Sequence, residues 1–314
     1  MKAAIITSYG SPEQFKIQDI SKPDIQDNEI LIRVKASSVN PVDWKIRKGN
    51  LKLILGSKFP IVLGYDASGE VVETGKSVSK FKKGDQVYSR LDRKYGRAYA
   101  EYAASTEKTF ALKPEKISFE EAAAIPLAAL TALQALRDKC RLKKGDCVLL
   151  NGASSGVGHF ALQIVKEFGG ISTAVCSGNH KKMLDELKPD YFIDYTKINF
   201  KDSQEKYDII FDVVGMESFM TCRHLLKKGG IYITALPRPK LILHRFCSFF
   251  TPGKKVKTVL MKARGNDLEY LNELIQLGKF KAFIDKTFTL EEISKAHAYS
   301  EQGHTEGKIV IRID

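Results

Sequence analysis

The stretch NGASSGVG, residues 151–158, decides how the rest of this chain is read. It follows the apolar run CVLL and leads into Val157, Phe160, Ala161, Ile164, Val165 and Phe168, apolar positions at helical spacing. The loop therefore stands between a buried strand and an amphipathic helix. Its residues admit three patterns. G-x-S-x-G is the spacing of a nucleophile elbow, whose serine attacks a substrate. G-x-x-x-G-x-G and a substituted G-x-G-x-x-G both describe a turn whose backbone N–H groups meet a pyrophosphate at the positive end of a helix dipole.

A serine nucleophile needs an acid and then a histidine on later loops. Asp194 and Asp212 follow, with His224, His244, His297 and His304 beyond them, but no spacing singles out a triad and no oxyanion-hole glycine run lies upstream. The short-chain dehydrogenase loop opens its chain, whereas 150 residues precede this one, and Tyr-x-x-x-Lys occurs at none of the 12 tyrosines. Read as a dinucleotide fingerprint, the glycine positions become Ala153, Ser155 and Gly158, with Gly156 added; these small residues still permit a tight turn and close helix packing. Ser154, Ser155, Gly156, Val157 and Gly158 are thus expected to hold a pyrophosphate, the serines bonding phosphate oxygens rather than attacking.

The next strand, ISTAVC, speaks about the nucleotide. NAD-specific folds place an acid about 20 residues after the loop, where it bonds the ribose 2′-OH and repels a 2′-phosphate. Here the region reads Ser177-Gly-Asn179-His-Lys181-Lys182, with no carboxylate before Asp185. Lysines in a first helical turn oppose the helix dipole, which suggests another use for them. Ser177 and Lys181 are assigned to a 2′-phosphate, Asn179 beside them to the cofactor, and the cofactor to NADP(H); a solvated first turn of the next helix is the alternative.

Up to about residue 115 the chain is β-rich. EILIRVKA (29–36), ASGEVVETG (67–75), DQVYS (85–89) and AEYAAS (100–105) are short β-branched or alternating runs bounded by turn residues. Ser118 with Glu121 forms a capping-box pattern, after which helix formers run to Leu136. From Cys147 strands and helices alternate: ISTAVC, a helix over 180–187, YFIDY, YDIIFDVVG, a helix over 217–227, GGIYITALP and VKTVLM complete six β units. Such alternation predicts an α/β chain with a doubly wound parallel six-stranded sheet. A helix carrying Leu268, Leu271, Leu274 and Ile275, a second helix after TLEE (289–292) and a strand GKIVIRI close the chain. That strand has no obvious place in the six-stranded sheet and is expected to return to the first domain.

The 314 residues are 43% hydrophobic and 28% charged, ordinary for a soluble globular protein. MKAAIITSYGSP is too polar for a secretory h-region, and the 15-residue apolar run 122–136, broken by Pro126, falls short of the roughly 20 needed to span a bilayer. Five cysteines without a regular framework suit free thiols in a reducing compartment, so a cytoplasmic location is expected. The net charge of +13 is spread along the chain without a nucleic-acid motif; a phosphate-rich small ligand or weak peripheral contact with anionic membrane accounts for it, and no nucleic acid is expected.

Taken together, SSVNPVDWKIRKG (37–49), GYDASGEVVETG (64–75), FKKGDQVY (81–88), GRAYAEYA (96–103), AAAIPLAALTALQAL (122–136), ASSGVG (153–158) and HTEGKIVI (304–311) resemble the medium-chain dehydrogenases/reductases. Within them the similarity is to the zinc-free quinone oxidoreductase branch, with its chloroplast-envelope and reticulon-interacting mitochondrial members. The resemblance implies a GroES-like β-barrel domain (1–120, completed by 263–314) interrupted by a Rossmann NADP-binding domain (121–262), an active site in the cleft between them, and a homodimer. Zinc alcohol dehydrogenases carry ligands where this chain has Asn40, Tyr65-Asp66 and Leu127, and no cysteines stand between 85 and 110 for a structural zinc, so no metal is expected. Without a Lewis acid the acceptor must already be electrophilic, which points to quinones and the β-carbon of α,β-unsaturated carbonyls.

By the same resemblance Asn40 lies beside the nicotinamide ribose, unless it only caps the turn made with Pro41 and Asp43. Thr131 packs on the nicotinamide, Tyr195 stacks on adenine, and Val214, Gly215 and Leu236 contact ribose and carboxamide. Lys308 approaches the cofactor or is solvated. Tyr65 is a proton donor or a core aromatic. Segment 238–255 is read as a hydrophobic lid, an edge touching anionic membrane, or a packed helix or dimer contact.

Overall fold

The computed structural model describes residues 1–235 and 253–313. Two compact units emerge: Met1–Leu130 with Lys262–Asp314, and Thr131–Met261.

The first unit is built on the long strand Glu29–Val39, whose alternating apolar residues Ile30, Ile32 and Val34 are buried. One edge of it pairs antiparallel with Asp66–Thr74. The other edge is shared. Tyr102–Thr106 takes its first half, and the closing strand Lys308–Arg312 its second, with Ile309 opposite Val39 and Arg312 opposite Ala36. The closing strand thus returns across the whole chain to the first unit. Ile284–Thr289, Gln86–Arg90 and Phe110–Leu112 extend the sheet to seven strands; Lys2–Ile6, Phe15–Asp19 and Ile61–Val62 form a three-stranded one.

The expected boundary at 120 moves to Leu130. The reason is packing: the capping box on Ser118 and Glu121 starts the helix Phe119–Ala124, and its Ala123 and Ala124 bury against Ala36 and Val310 of the first unit. Leu127 N also donates to the Asp66 carboxylate of that unit at 2.8 Å.

The second unit holds six parallel strands in the order Tyr191–Asp194, Ile171–Cys176, Cys147–Asn151, Tyr207–Asp212, Leu226–Thr234, Lys255–Thr258. Continuous apolar strands such as CVLL are buried on both faces, as helices on either side demand. One expectation was too generous: the helix over 217–227 is only the turn Phe219–Cys222 followed by the 3-10 turn Arg223–Leu225, because Leu226 already pairs with Tyr207 in the sheet. Of the segment 238–255, residues 238–252 lie outside the described residues, as does Leu236; Lys255 opens the sixth strand.

Candidate active site

In the second unit, the strand Cys147–Asn151 lies at the point where the strand order reverses, the usual place for a ligand in an open parallel sheet. The loop after it closes on itself. Ser155 N donates to the Gly152 carbonyl at 3.0 Å, and Gly158 N to Ser155 Oγ at 3.2 Å. The helix Gly158–Glu167 then starts so close to the strand that a Cβ on Gly158 would stand 2.0 Å from the Gly152 carbonyl oxygen. Only glycine permits that approach, the requirement a dinucleotide fingerprint places on its last glycine. The loop fits a pyrophosphate.

It does not fit a serine nucleophile. Ser154 is buried, and Ser155 Oγ accepts the bond from Gly158 N. His159 Nδ1 lies 2.9 Å from the Ser155 carbonyl oxygen, which can only accept, so that nitrogen carries the hydrogen and faces no serine hydroxyl. Asp212, the acid a triad would use, is fully buried and accepts from Asn151 Nδ2 (3.0 Å), Gly215 N (2.9 Å), Glu217 N (3.2 Å) and Tyr232 OH (2.9 Å). Burial pushes its carboxyl up while these bonds oppose the rise. Asp212 therefore ties the glycine-loop strand to the 213–217 turn and holds Val214 and Gly215 in place. The sequence reading had not given it that role.

At the neighbouring strand, Asn179 N approaches Ser177 Oγ at 3.4 Å in the turn that enters the helix Lys181–Leu187. Parallel register sets Cys176 beside Asp194, and Tyr195, 54% exposed, follows directly. Here the structure adds an acid that the window after ISTAVC lacks. Asp194 accepts from the Thr196 hydroxyl (2.6 Å) and Thr196 N (3.0 Å), and also from Gly178 N; the hydroxyl bond foremost holds its carboxyl low. Its oxygens are committed to the turn at Thr196 and to the N–H of Gly178, which follows Ser177. Thr131 is buried on the helix Pro126–Leu133, whose continuation over Gln134–Cys140 widens to π-helical turns.

The first unit contains a second constellation, fully buried and polar. Asn40 precedes the helix Pro41–Arg47, and Asp43 Oδ2 accepts from Asn40 N at 2.8 Å. The backbone of Asn40 is thus part of the cap, but its side chain is not. The amide turns inward: Nδ2 donates to Asp66 Oδ2 at 2.9 Å, and Oδ1 accepts from Lys308 Nζ at 2.5 Å. Asp66 also accepts from Ser38 Oγ (2.8 Å) and Leu127 N (2.8 Å), with the Lys308 ammonium 3.7 Å away. Lys308 is 3% exposed, so it is not a solvated lysine. Burial lowers its pKa, and Asp66 and Asp43 oppose that fall.

Gly64 opens the way for the next residues. Its φ is +99°, and a Cβ there would lie 2.6 Å from the Tyr99 ring, which passes in its place. Tyr99 OH donates to Asp43 Oδ2 at 3.1 Å, and His297 Nε2 lies 3.3 Å from that hydroxyl. Desolvation pushes Asp43 up to about 7, Tyr99 well above its ordinary range and His297 well below its own. Tyr65 feels this group through the charge of Asp43. Its ring sits in the hydrophobic core under the Arg90 guanidinium at 4.2 Å, and burial raises its phenol.

The positions that carry zinc ligands in alcohol dehydrogenases are therefore occupied by an amide, a carboxylate that three hydrogen bonds already satisfy, and a leucine, with an ammonium against them. That donor set does not suit a tetrahedral dication. Among the described residues no group of three or more His, Cys, Asp or Glu is placed to hold a metal.

Comparison with known proteins accords with both units. The alcohol dehydrogenase GroES-like domain matches residues 26–116, and the zinc-binding dehydrogenase family matches 187–311. The chloroplast envelope quinone oxidoreductase homolog of Arabidopsis thaliana is 35% identical over 322 residues, covering 99% of this chain and 98% of that protein. The chloroplastic NADPH-dependent alkenal/one oxidoreductase of the same plant is 34% identical over 325 residues, 99% of this chain and 79% of that one. The solved quinone oxidoreductase from Coxiella burnetii superposes with a TM-score of 0.93 at 32% identity, over 100% and 99% of the two chains. The chain belongs to the medium-chain dehydrogenase/reductase superfamily, in its quinone oxidoreductase branch.

Proposed function

We propose that this protein is an NADPH-dependent, zinc-independent reductase that passes hydride to quinones or to the β-carbon of α,β-unsaturated carbonyls. The observation that carries this reading is the Asn40–Asp66–Lys308 lock, which puts a hydrogen-bond donor and a cation where zinc enzymes keep their metal. The names of its quinone oxidoreductase and alkenal/one oxidoreductase relatives agree with it.

The bound nicotinamide would supply the hydride. What the chain does is bind and orient it. The 152–158 loop offers backbone N–H groups and a helix N-terminus to the pyrophosphate. Ser177, Asn179 and Lys181 answer the 2′-phosphate, Tyr195 presents an exposed ring for the adenine, and Thr131, Val214, Gly215 and Leu236 serve the nicotinamide half. In this reading Asn40 serves the developing oxyanion or the ribose. With Oδ1 on the Lys308 ammonium and one Nδ2 hydrogen on Asp66, its amide cannot flip, and the second Nδ2 hydrogen is left to donate. A cation on the amide oxygen strengthens that donor.

The test is oxidation of NADPH and NADH by the purified protein against a panel of ortho- and para-quinones, 2-alkenals and long-chain enones, with EDTA and then with added zinc. The expected outcome is NADPH turnover that EDTA leaves intact. Tight NADPH binding without turnover on any acceptor, or activity that requires zinc, would refute the proposal.

A further inference from the structure

Between Asp43 and Asp66 the chain carries no acid and five bases: Lys45, Arg47, Lys48, Lys52 and Lys58. Arg47 is buried and Lys48 pairs with Glu301, but Lys52 and Lys58 are exposed and form no ion pair among the described residues. Lys94 joins them from a distant part of the sequence, its Nζ 4.0 Å from where a Cβ on Gly56 would lie. It too is exposed and unpaired among the described residues. Among these charges lies the one-turn helix Lys52–Leu55. Leu51 and Leu55 pack with Phe59 against the core of the first unit, whereas Leu53 and Ile54 turn outward. At 95% and 81% exposed, these are the two most exposed large apolar side chains among the described residues. Two tyrosines anchor the turn: Tyr95 OH donates to the Leu55 carbonyl at 2.7 Å, and Tyr9 OH to that of Gly56. A lone exposed leucine needs no explanation, but an adjacent apolar pair on an anchored turn, set among unpaired cations, asks for one.

We propose that the turn 51–58 is a docking tip for an anionic lipid surface, with Leu53 and Ile54 entering the acyl boundary while Lys52, Lys58 and Lys94 meet the headgroup phosphates. The inference goes beyond the reductase reading and stands without it. The charge pattern selects the occupant. Apolar side chains flanked by charges of one sign are the composition of an interfacial anchor, and long lysine stems keep their ammonium groups at headgroup level while the apolar tip goes deeper. An anionic leaflet attracts each exposed lysine within a Debye length of it. A second copy of this chain fits poorly. A two-fold contact would set Lys52, Lys58 and Lys94 against the same lysines, with no acid between residues 44 and 65 to neutralise them. A protein partner would find two side chains, far less than the roughly 1,000 Å² that a specific interface buries. Nucleic acid would use the lysines and leave Leu53 and Ile54 in water.

The tip belongs to the unit that holds the Asn40–Asp66–Lys308 lock, and the helix Pro41–Arg47, which begins directly after Asn40, leads into it. Docking therefore brings that unit to the phase in which long-chain quinones and enones dissolve. A net charge of +13 would by itself draw the whole protein loosely to an anionic surface, so the tip has to be separated from the total charge.

The experiment sediments the full chain, without acceptor or cofactor, with sucrose-loaded vesicles of phosphatidylcholine alone or with about one-third phosphatidylglycerol, at about 0.1 M and about 0.5 M salt. Wild type should bind the anionic vesicles at least about tenfold more tightly than the neutral ones and lose most of that binding at the higher salt. Leu53→Ser with Ile54→Ser leaves the net charge unchanged and should lower the partition coefficient by about tenfold or more. Lys52→Ala with Lys58→Ala should lower it by a similar factor, whereas Lys144→Ala with Lys166→Ala, which removes the same charge from exposed positions in the second unit, should change it little. Melting temperatures check that each variant folds; if the serine pair does not, the two lysine pairs decide. Wild type that ignores anionic vesicles, a folded serine pair that binds as wild type does, or equal losses for the two lysine pairs overturn the tip. A wild-type oligomer that the serine pair dissociates in vesicle-free sedimentation overturns it too, and assigns the surface to a second copy. None of these readouts needs turnover, so failure of the reductase reading leaves the tip standing, and failure of the tip leaves that reading intact.

Discussion

Replacing Asp43 by asparagine should flatten the pH dependence of stability. In the folded protein this carboxyl is pushed up to about 7 from an ordinary 3.8, with desolvation the largest cause. Between those two values the folded state keeps a proton that the unfolded chain has released, so stability falls as pH rises through the window. Each pH unit well inside it costs about 1.4 kcal/mol and the slope halves at the folded pKa, which makes the loss between pH 5 and pH 7 about 2 kcal/mol. Asparagine cannot titrate. Its own constant cost, chiefly a buried NH2 placed where Oδ1 already lacks a partner, shifts the curve without changing its slope. Urea unfolding at a series of pH values measures both proteins, and the only tryptophan, Trp44, is the adjacent residue, so its fluorescence reports on this unit alone. Asp212, another carboxyl raised by burial, lies in the second unit and is common to both proteins. Parallel stability curves for wild type and Asp43→Asn would refute the assignment of a proton to Asp43 and leave its burial unexplained.

Two further outcomes follow from the second unit. Gly158→Ala puts a methyl 2.0 Å from the Gly152 carbonyl oxygen, so calorimetry should show NADPH binding weakened by about tenfold to a hundredfold, with the Trp44 unfolding transition unmoved. Retained affinity would mean that the pyrophosphate does not sit on this loop. Ser177→Asp adds a carboxylate at the end of the strand Ile171–Cys176 and should weaken NADPH by about tenfold or more while sparing NADH, because like charges repel at a 2′-phosphate and a ribose hydroxyl gains an acceptor. Equal loss for both nucleotides would place the 2′-phosphate elsewhere.

The fold was legible where a local pattern had one structural solution. Alternation of apolar strands with amphipathic helices after Cys147 leaves little but a parallel sheet, and all six expected strands pair in it. The capping box at Ser118 and Glu121 was equally local, and both of its bonds form. The misreadings were of competition between elements. Residues 217–227 carry helix formers, yet Leu226 is claimed by the sheet through Tyr207, a partner that no window around 226 contains. The domain boundary slipped for the same reason: Ala123 and Ala124 look like the start of a new domain until Ala36 and Val310 are seen to need covering.

The site divides along the same line. The phosphate loop is one continuous segment whose glycine spacing encodes its backbone geometry, so it could be found without coordinates. The buried network could not. Asn40 meets Asp66 across 26 residues, Tyr99 meets Asp43 across 56, and Tyr99 and Lys308 find His297 and Asn40 across 198 and 268. Each of these residues alone reads as a cap, a core aromatic or a surface charge, and only closure by the last strand shows otherwise. That closure also gives them their chemistry. A lysine and an aspartate in water are merely solvated ions; sealed beside one another with a single amide between them, they fix that amide's orientation and strengthen its free N–H. On the reading proposed above, the lock stands where a metal ligand set would supply a strong Lewis acid and offers a precise hydrogen-bond donor instead, which suits acceptors electrophilic enough to need no more.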